Sequence, residues 1–213
     1  MFERIWRSPF VRNVVIVASG TAGAQAITLA FSPIITRLYG PEAFGLQGAF
    51  MAVLALTTPV AALTYPIGIV LPRHDDEAKG LAQLSARIAL VIAAALVVVF
   101  LFADGLIARL LRMEEIQHYL WLVPLAMLFT AWQSIIQQWL IRKKLFKVTA
   151  RIAVSQSLIL NSAKSALGLI WPTGALLIVL NTLGNLLYSL QLWLGARRSG
   201  GTDAQLLRPP KKQ

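Results

Sequence analysis

PIITRLYGPEAFG, residues 33–45, lies between two long apolar runs and carries, at Arg37, the first charge after Arg12. Gly40-Pro41 punctuates it as a turn, and the residue before a proline is biased away from helix. The pattern predicts one helix ending near Leu38 and another beginning at Glu42-Ala43-Phe44. So short a link between two apolar runs reads as a helical hairpin in a membrane, and the chain is read outward from it.

Of the 213 residues, 57% are apolar and 14% charged, against about 25% charged in soluble domains. One soluble core of this size cannot bury that much apolar surface, so the fold class is all-α: a polytopic helical membrane protein. Six tryptophans and four tyrosines suit interfacial belts. The lack of cysteine excludes thiolate metal sites. The net charge of +11 belongs to membrane orientation and not to nucleic acid, because no basic patch is interleaved with exposed aromatics. The basic start leads into an apolar run too long for a signal peptide and without a convincing cleavage site, so it reads as a retained first span.

About 20 apolar residues cross a bilayer as a helix. Six such segments fall near residues 14–35, 44–71, 84–103, 119–141, 152–171 and 173–194, giving a bundle over 1–195 and a basic, disordered cytoplasmic tail over 196–213. Pro59 and Pro66 predict a kinked or broken second span. Trp171-Pro172-Thr173-Gly174 predicts a tight hairpin between the last two. In this layout sixteen of the twenty Lys and Arg residues fall on one side. Only Arg37, Arg109 and Arg112 fall on the other, and Lys164 lies inside a span. That bias places both termini in the cytoplasm. Between the third and fourth spans, Leu106, Ile107, Leu110, Leu111 and Met113 recur at helical spacing among charges, which predicts a short amphipathic helix over 104–118 on the outer surface.

Polar side chains in hydrocarbon need a partner or a wet cavity. Thr21, Gln25, Thr28 and Ser32 share one face of the first span, beside a ladder of Ala18, Ala22, Ala26 and Ala30 that would permit close helix approach. Thr130, Gln133, Ser134, Gln137 and Gln138 mark the fourth span. Ser157, Asn161, Lys164 and Ser165 mark the fifth, and Asn181, Asn185, Tyr188 and Ser189 the sixth. The third has only Ser85 and is expected to face lipid. The stripes have two readings, hydrogen bonds between helices or a cavity for a polar cargo, and four amphipathic spans favour the cavity. Lys164 is the sharpest residue, roughly seven residues or about 10 Å from the outer end of its span. It is either a lysine snorkelling to the interface or a cation meeting an anionic cargo, with Asn161 a turn away. Expense of intramembrane charge favours the second. The cavity-lining candidates are Gln25, Arg37, Gln133, Asn161, Lys164, Asn181 and Asn185, although a headgroup explains Arg37 equally well.

Enzyme readings fare badly. His74 with Asp75, Asp76 and Glu77 lacks ligand spacing and reads as a solvated loop, and His118 reads as a headgroup contact. No zinc-protease, phosphate-loop or serine-nucleophile motif is present. No catalytic residue, cofactor or metal is expected.

Residues 33–45, after a first span containing Gly20-Thr-Ala-Gly-Ala-Gln25, resemble the opening of the bacterial oligosaccharide flippases. These O-antigen and polysaccharide exporters belong to the superfamily that also holds multidrug extruders. LTYPIGIVLPRHDDEAKGLAQL at 63–84 is a second match, and Ala166-Leu-Gly-Leu-Ile170 a weaker one. The resemblance implies export of an oligosaccharide linked to undecaprenyl pyrophosphate across the inner membrane by alternating access between two six-helix lobes. Many members carry Arg-Tyr-Glu where this chain has Thr64-Tyr65-Pro66, so a role of that charge pair does not carry over. Six spans correspond to the amino-terminal lobe. Such a lobe pairs with itself, pairs with a separately encoded partner, or is an inactive remnant. The alternative from another class is a membrane scaffold or assembly subunit without cargo.

Overall fold

Pro41 has no N–H to give to a preceding helix and a φ preset for starting one. In the computed structural model, which describes residues 9–62, 65–110 and 114–198, α1 (Pro9–Leu38) accordingly stops two residues short of Gly40, and α2 (Pro41–Ala62) starts on the proline. Tyr39 N–H still donates to Ile35 C=O at 2.9 Å, and Ala43 N–H to Gly40 C=O at 3.1 Å, so the hairpin turns within Tyr39-Gly40. The expected second span falls on α2, which runs on through Pro59, and on α3 (Tyr65–Gly68), and the break expected between them lies at residues 63 and 64, outside the described residues. Then come α4 (Asp75–Leu110), a 3-10 turn (Glu114–Tyr119), α5 (Leu122–Arg142), α6 (Phe146–Gly168) and α7 (Gly174–Arg198). Among the described residues there is no strand. Expectations for Arg4, Arg7, Arg112 and the tail 199–213 lie outside the described residues, while 196–198 close α7.

Each expected span falls on one of these helices, the second on α2 and α3. By length and composition, three helices among the described residues are apolar enough to cross a membrane: Val11–Leu38, Asp75–Phe102 and Gly174–Arg198. The greatest departure is α4. At 36 residues it is about 54 Å long, well beyond the roughly 30 Å of a bilayer core. Asp75, Asp76 and Glu77 begin it, acids that favour the positive end of a helix. No proline interrupts it, so it starts nine residues before the expected span and runs seven past its end. The amphipathic helix expected over 104–118 is therefore not a separate element. Its first part is the end of α4. Its last part is the 3-10 turn, which buries Ile116 and, with Leu120 beside it, joins Phe50, Phe100 and Met127 in the main apolar cluster.

Glycines set the helix spacing at two places. A Cβ at Gly20 would lie 2.5 Å from the Ala150 Cβ, so α1 and α6 touch along their backbones there. A Cβ at Gly174 would lie 3.0 Å from the Ala43 carbonyl, where α7 meets α2. Thr173 caps α7, its Oγ1 accepting from Leu176 N–H at 3.3 Å. α1 packs chiefly on α6, while α7 packs on α5, α6 and α2. α4 lies on α5 and α2 through Ala78, Ala82, Ser85, Ala89 and Ala93, a face of small buried residues. Its other face exposes Leu90, Val91, Leu101 and Phe102, the last 86% exposed. Large apolar side chains on the outer face of α4 and small ones on its inner face suit a lipid solvent.

Candidate functional site

The polar stripes resolve into two seams. In the first, α1 and α6 run in parallel. Ser157 Oγ donates to Ala24 C=O at 2.7 Å and lies 3.0 Å from Thr28 Oγ1. Asn161, 6% exposed, gives its amide to Ser157 C=O at 2.8 Å and reaches Thr28 Oγ1 at 3.3 Å. Lys164 follows one turn later on α6, half-buried. Among the described residues, no carboxylate lies within 4.0 Å of its amine. Its carbonyl accepts the Tyr39 hydroxyl at 2.9 Å, which ties the α1–α2 hairpin to α6. The Tyr39 ring fits because Gly168 has no side chain: a Cβ there would lie 2.7 Å from it. α6 ends at Gly168, four residues after Lys164, so the amine's helix position is about 6 Å from that end and not about 10 Å.

In the second seam, Asn185 of α7 donates to Thr130 Oγ1 of α5 at 3.2 Å. Gln133 lies one turn along α5 from Thr130, and Asn181 one turn along α7 from Asn185. Both are half-buried. Among the described residues, Asn181 Nδ2 is buried without a partner, as are Ser165 Oγ and Gln156 Oε1. The register of the first seam (24 to 157, 28 to 161) places Ser32 level with Ser165.

The remaining candidates stand apart. Gln25 is exposed on α1, off the seam, and makes no hydrogen bond among the described residues. Arg37 is exposed in the last turn of α1, where a cation favours the helix end. The small-residue ladder is corrected: Ala18, Ala22, Ala26 and Ala30 are all exposed, and Gly20, Gly23 and Ala24 make the close approach instead. A cavity of about 510 Å³ between α4 and the 3-10 turn is lined by Phe100, Gln117, His118 and Trp121 among others. A second of about 300 Å³ is an apolar groove between α6 and α7. Neither is lined by a candidate residue.

Several polar ties were not foreseen. Ser155 donates to Gln191 at 3.2 Å, and Gln156 donates to Gly184 C=O at 2.8 Å. At the other end of the bundle from Tyr39, Arg142 donates to Pro72 C=O at 2.6 Å and Ile69 C=O at 3.3 Å. It also pairs with Asp75 at 3.0 Å, and Lys143 reaches the second Asp75 oxygen at 2.6 Å. The acidic stretch read as a solvated loop is thus, at Asp75, a docking point. Lys143 first, and Arg142 after it, hold the Asp75 carboxyl below the usual carboxylate range against its partial burial.

An apolar exterior, small-residue contacts and polar seams between long helices define a helical bundle built for lipid. The family model described as polysaccharide biosynthesis protein matches residues 34–199, and the chain belongs to that family. The match includes most of the hairpin on which the flippase resemblance rests. No curated protein and no solved structure matches the chain.

Proposed function

We propose that the chain crosses the bacterial inner membrane six times with both termini in the cytoplasm, and that it serves polysaccharide export. In this reading it is one lobe of a flippase that moves an oligosaccharide linked to undecaprenyl pyrophosphate to the outer leaflet. It works by alternating access against a second six-helix lobe. It is a carrier and not an enzyme. Its partners are the lipid-linked glycan and the surrounding lipids. The family membership supports the pathway, and a helix at each expected segment supports the layout.

Lys164 carries the proposal. A half-buried cation that pairs with no acid among the described residues, on a seam where the Ser165 hydroxyl is likewise unpaired among them, is a costly feature that an anionic cargo would use. The test is export in a strain lacking its own transporter. Lys164→Ala should abolish export with the protein still inserted, and Lys164→Arg should restore much of it. Export intact in Lys164→Ala overturns the assignment.

A second reading, a scaffold without cargo, is favoured by one observation. Thr28, Ser157, Asn161 and Asn185 spend their polar atoms on neighbouring helices, as glue worth about 0.6–2 kcal/mol a contact would. Apolar replacements of Gln25 and Asn181, which hold nothing together, separate the two. A scaffold tolerates them, and an exporter loses activity.

A further inference from the structure

α4 runs well past the length that a bilayer needs, and the chain returns to α5 through the 3-10 turn that lies against it. The return leaves a gap. A cavity of about 510 Å³ opens there, within the roughly 300–1,000 Å³ of small-molecule clefts. Its base is apolar, since Phe100 and Leu120 are 6% and 0% exposed. Its mouth is aromatic and polar. Trp121 is 65% exposed, His118 is exposed too, and Gln117 is half-buried.

The lining narrows the ligand. Among the described residues no Lys, Arg, Asp or Glu borders the cavity, so it offers nothing to pair with a phosphate, an ammonium or a carboxylate. An acyl chain would use the apolar base alone and leave the polar mouth idle. Neither the His118 ring nor the Trp121 indole N–H has a hydrogen-bond partner among the described residues, so each is open to one. Trp121 stands at the start of α5 but gives it no side-chain cap. What remains is an uncharged ligand with C–H faces for an aromatic ring, whose face is the negative part of its quadrupole, and hydroxyl edges for an imidazole and an amide.

We infer that this cavity binds a neutral pyranose sugar, its C–H face on the Trp121 indole and its hydroxyls on His118 and Gln117. In the membrane layout proposed above, the cavity opens at the outer surface beside Leu101 on the lipid-facing side of α4, where the sugar of a lipid-linked glycan would arrive. That this sugar belongs to the exported glycan rests on the export reading, whereas the binding does not. Binding is read without export, so a failed export test at Lys164 and a failed binding test here are separate results.

The test is saturation-transfer NMR on the full chain in lauryldimethylamine oxide, a detergent without a sugar headgroup. The probes are methyl glucoside and N-acetylglucosamine, with glycerol as a control that has hydroxyls but no ring face. The wild type should transfer magnetisation to the ring protons of at least one sugar and none to glycerol. Trp121→Ala should weaken that binding about tenfold, the upper end of what one aromatic contact contributes, and Trp121→Phe should keep most of it. His118→Ala should weaken it about fivefold, as the loss of one hydrogen bond does. Both side chains are exposed, so all three variants should melt with the wild type. No transfer to either sugar, equal transfer to glycerol, or unchanged binding in Trp121→Ala would each overturn the site.

Discussion

Arg142 gathers more partners than any other side chain described above, and each is a group that water would otherwise have to satisfy. Its guanidinium is a planar fork of donors, here spread over three carbonyls of the 69–72 segment and the Asp75 carboxylate. With its side chain only 10% exposed, Arg142→Gln should cost about 2–3 kcal/mol. The loss should appear as faster amide exchange in residues 69–75 before the rest of the bundle opens. Asp75 itself is 47% exposed, so the pairing is screened and worth under about 1 kcal/mol. Because its folded pKa is lowered, that contribution is complete above the unfolded value of about 3.9. It fades as pH falls through the folded pKa. The stability gap between wild type and Asp75→Asn should therefore be constant near neutrality and close in acid, as chemical denaturation at a series of pH values would show. None of this was legible in the sequence, where Arg142 stands 67 residues from Asp75. Only the tertiary fold makes an acidic loop and a basic helix end into one joint.

At the scale of elements, the helix ends that carry punctuation were readable and those without it were not. Gly40-Pro41 marks the α1–α2 turn to within a residue or two, whereas Pro59 does not end α2, which runs on to Ala62. α4 has acids at its start, which look like loop by charge and act as helix starters by dipole, so its length escaped the reading. Facing was harder. On α1 the alanine ladder and the glycines Gly20 and Gly23 sit on adjacent faces, and both look fit for close packing. The structure chooses the glycines because α6 brings Ala150 against the backbone. Gly20→Val should push α1 off α6 at a cost of about 1–3 kcal/mol, while Ala22→Val should be neutral. The seam can be checked directly, since the chain has no cysteine of its own. Thr28→Cys with Ser157→Cys should form a disulfide under mild oxidant, whereas Ala22→Cys with Ser157→Cys should not.

Among the described residues, four apolar clusters divide the packing, and polar contacts lie between them. One fastens α2, α4, α5 and the 3-10 turn. Another fastens α5, α6 and α7 at the end where Arg197 and Arg198 lie. A small one holds the hairpin through Tyr39 and Leu177. The all-helical architecture and the identity of the polar residues were legible from period and composition. Which of them would be spent on neighbours and which left free depended on register. Asn161 and Asn185 give their amides to neighbours, while among the described residues Gln25 and Gln133 make no hydrogen bond and the Asn181 amide nitrogen has no partner. The exporter reading requires that these free groups meet water. The most direct measurement replaces Gln25, Gln133 and Asn181 singly with cysteine and treats intact cells with a membrane-impermeant maleimide, with Leu90→Cys on the outer face of α4 as the lipid-exposed control. A wet path through the bundle predicts labelling at the three polar positions and none at Leu90. Protection at all three, in protein that is inserted and folded, would contradict it.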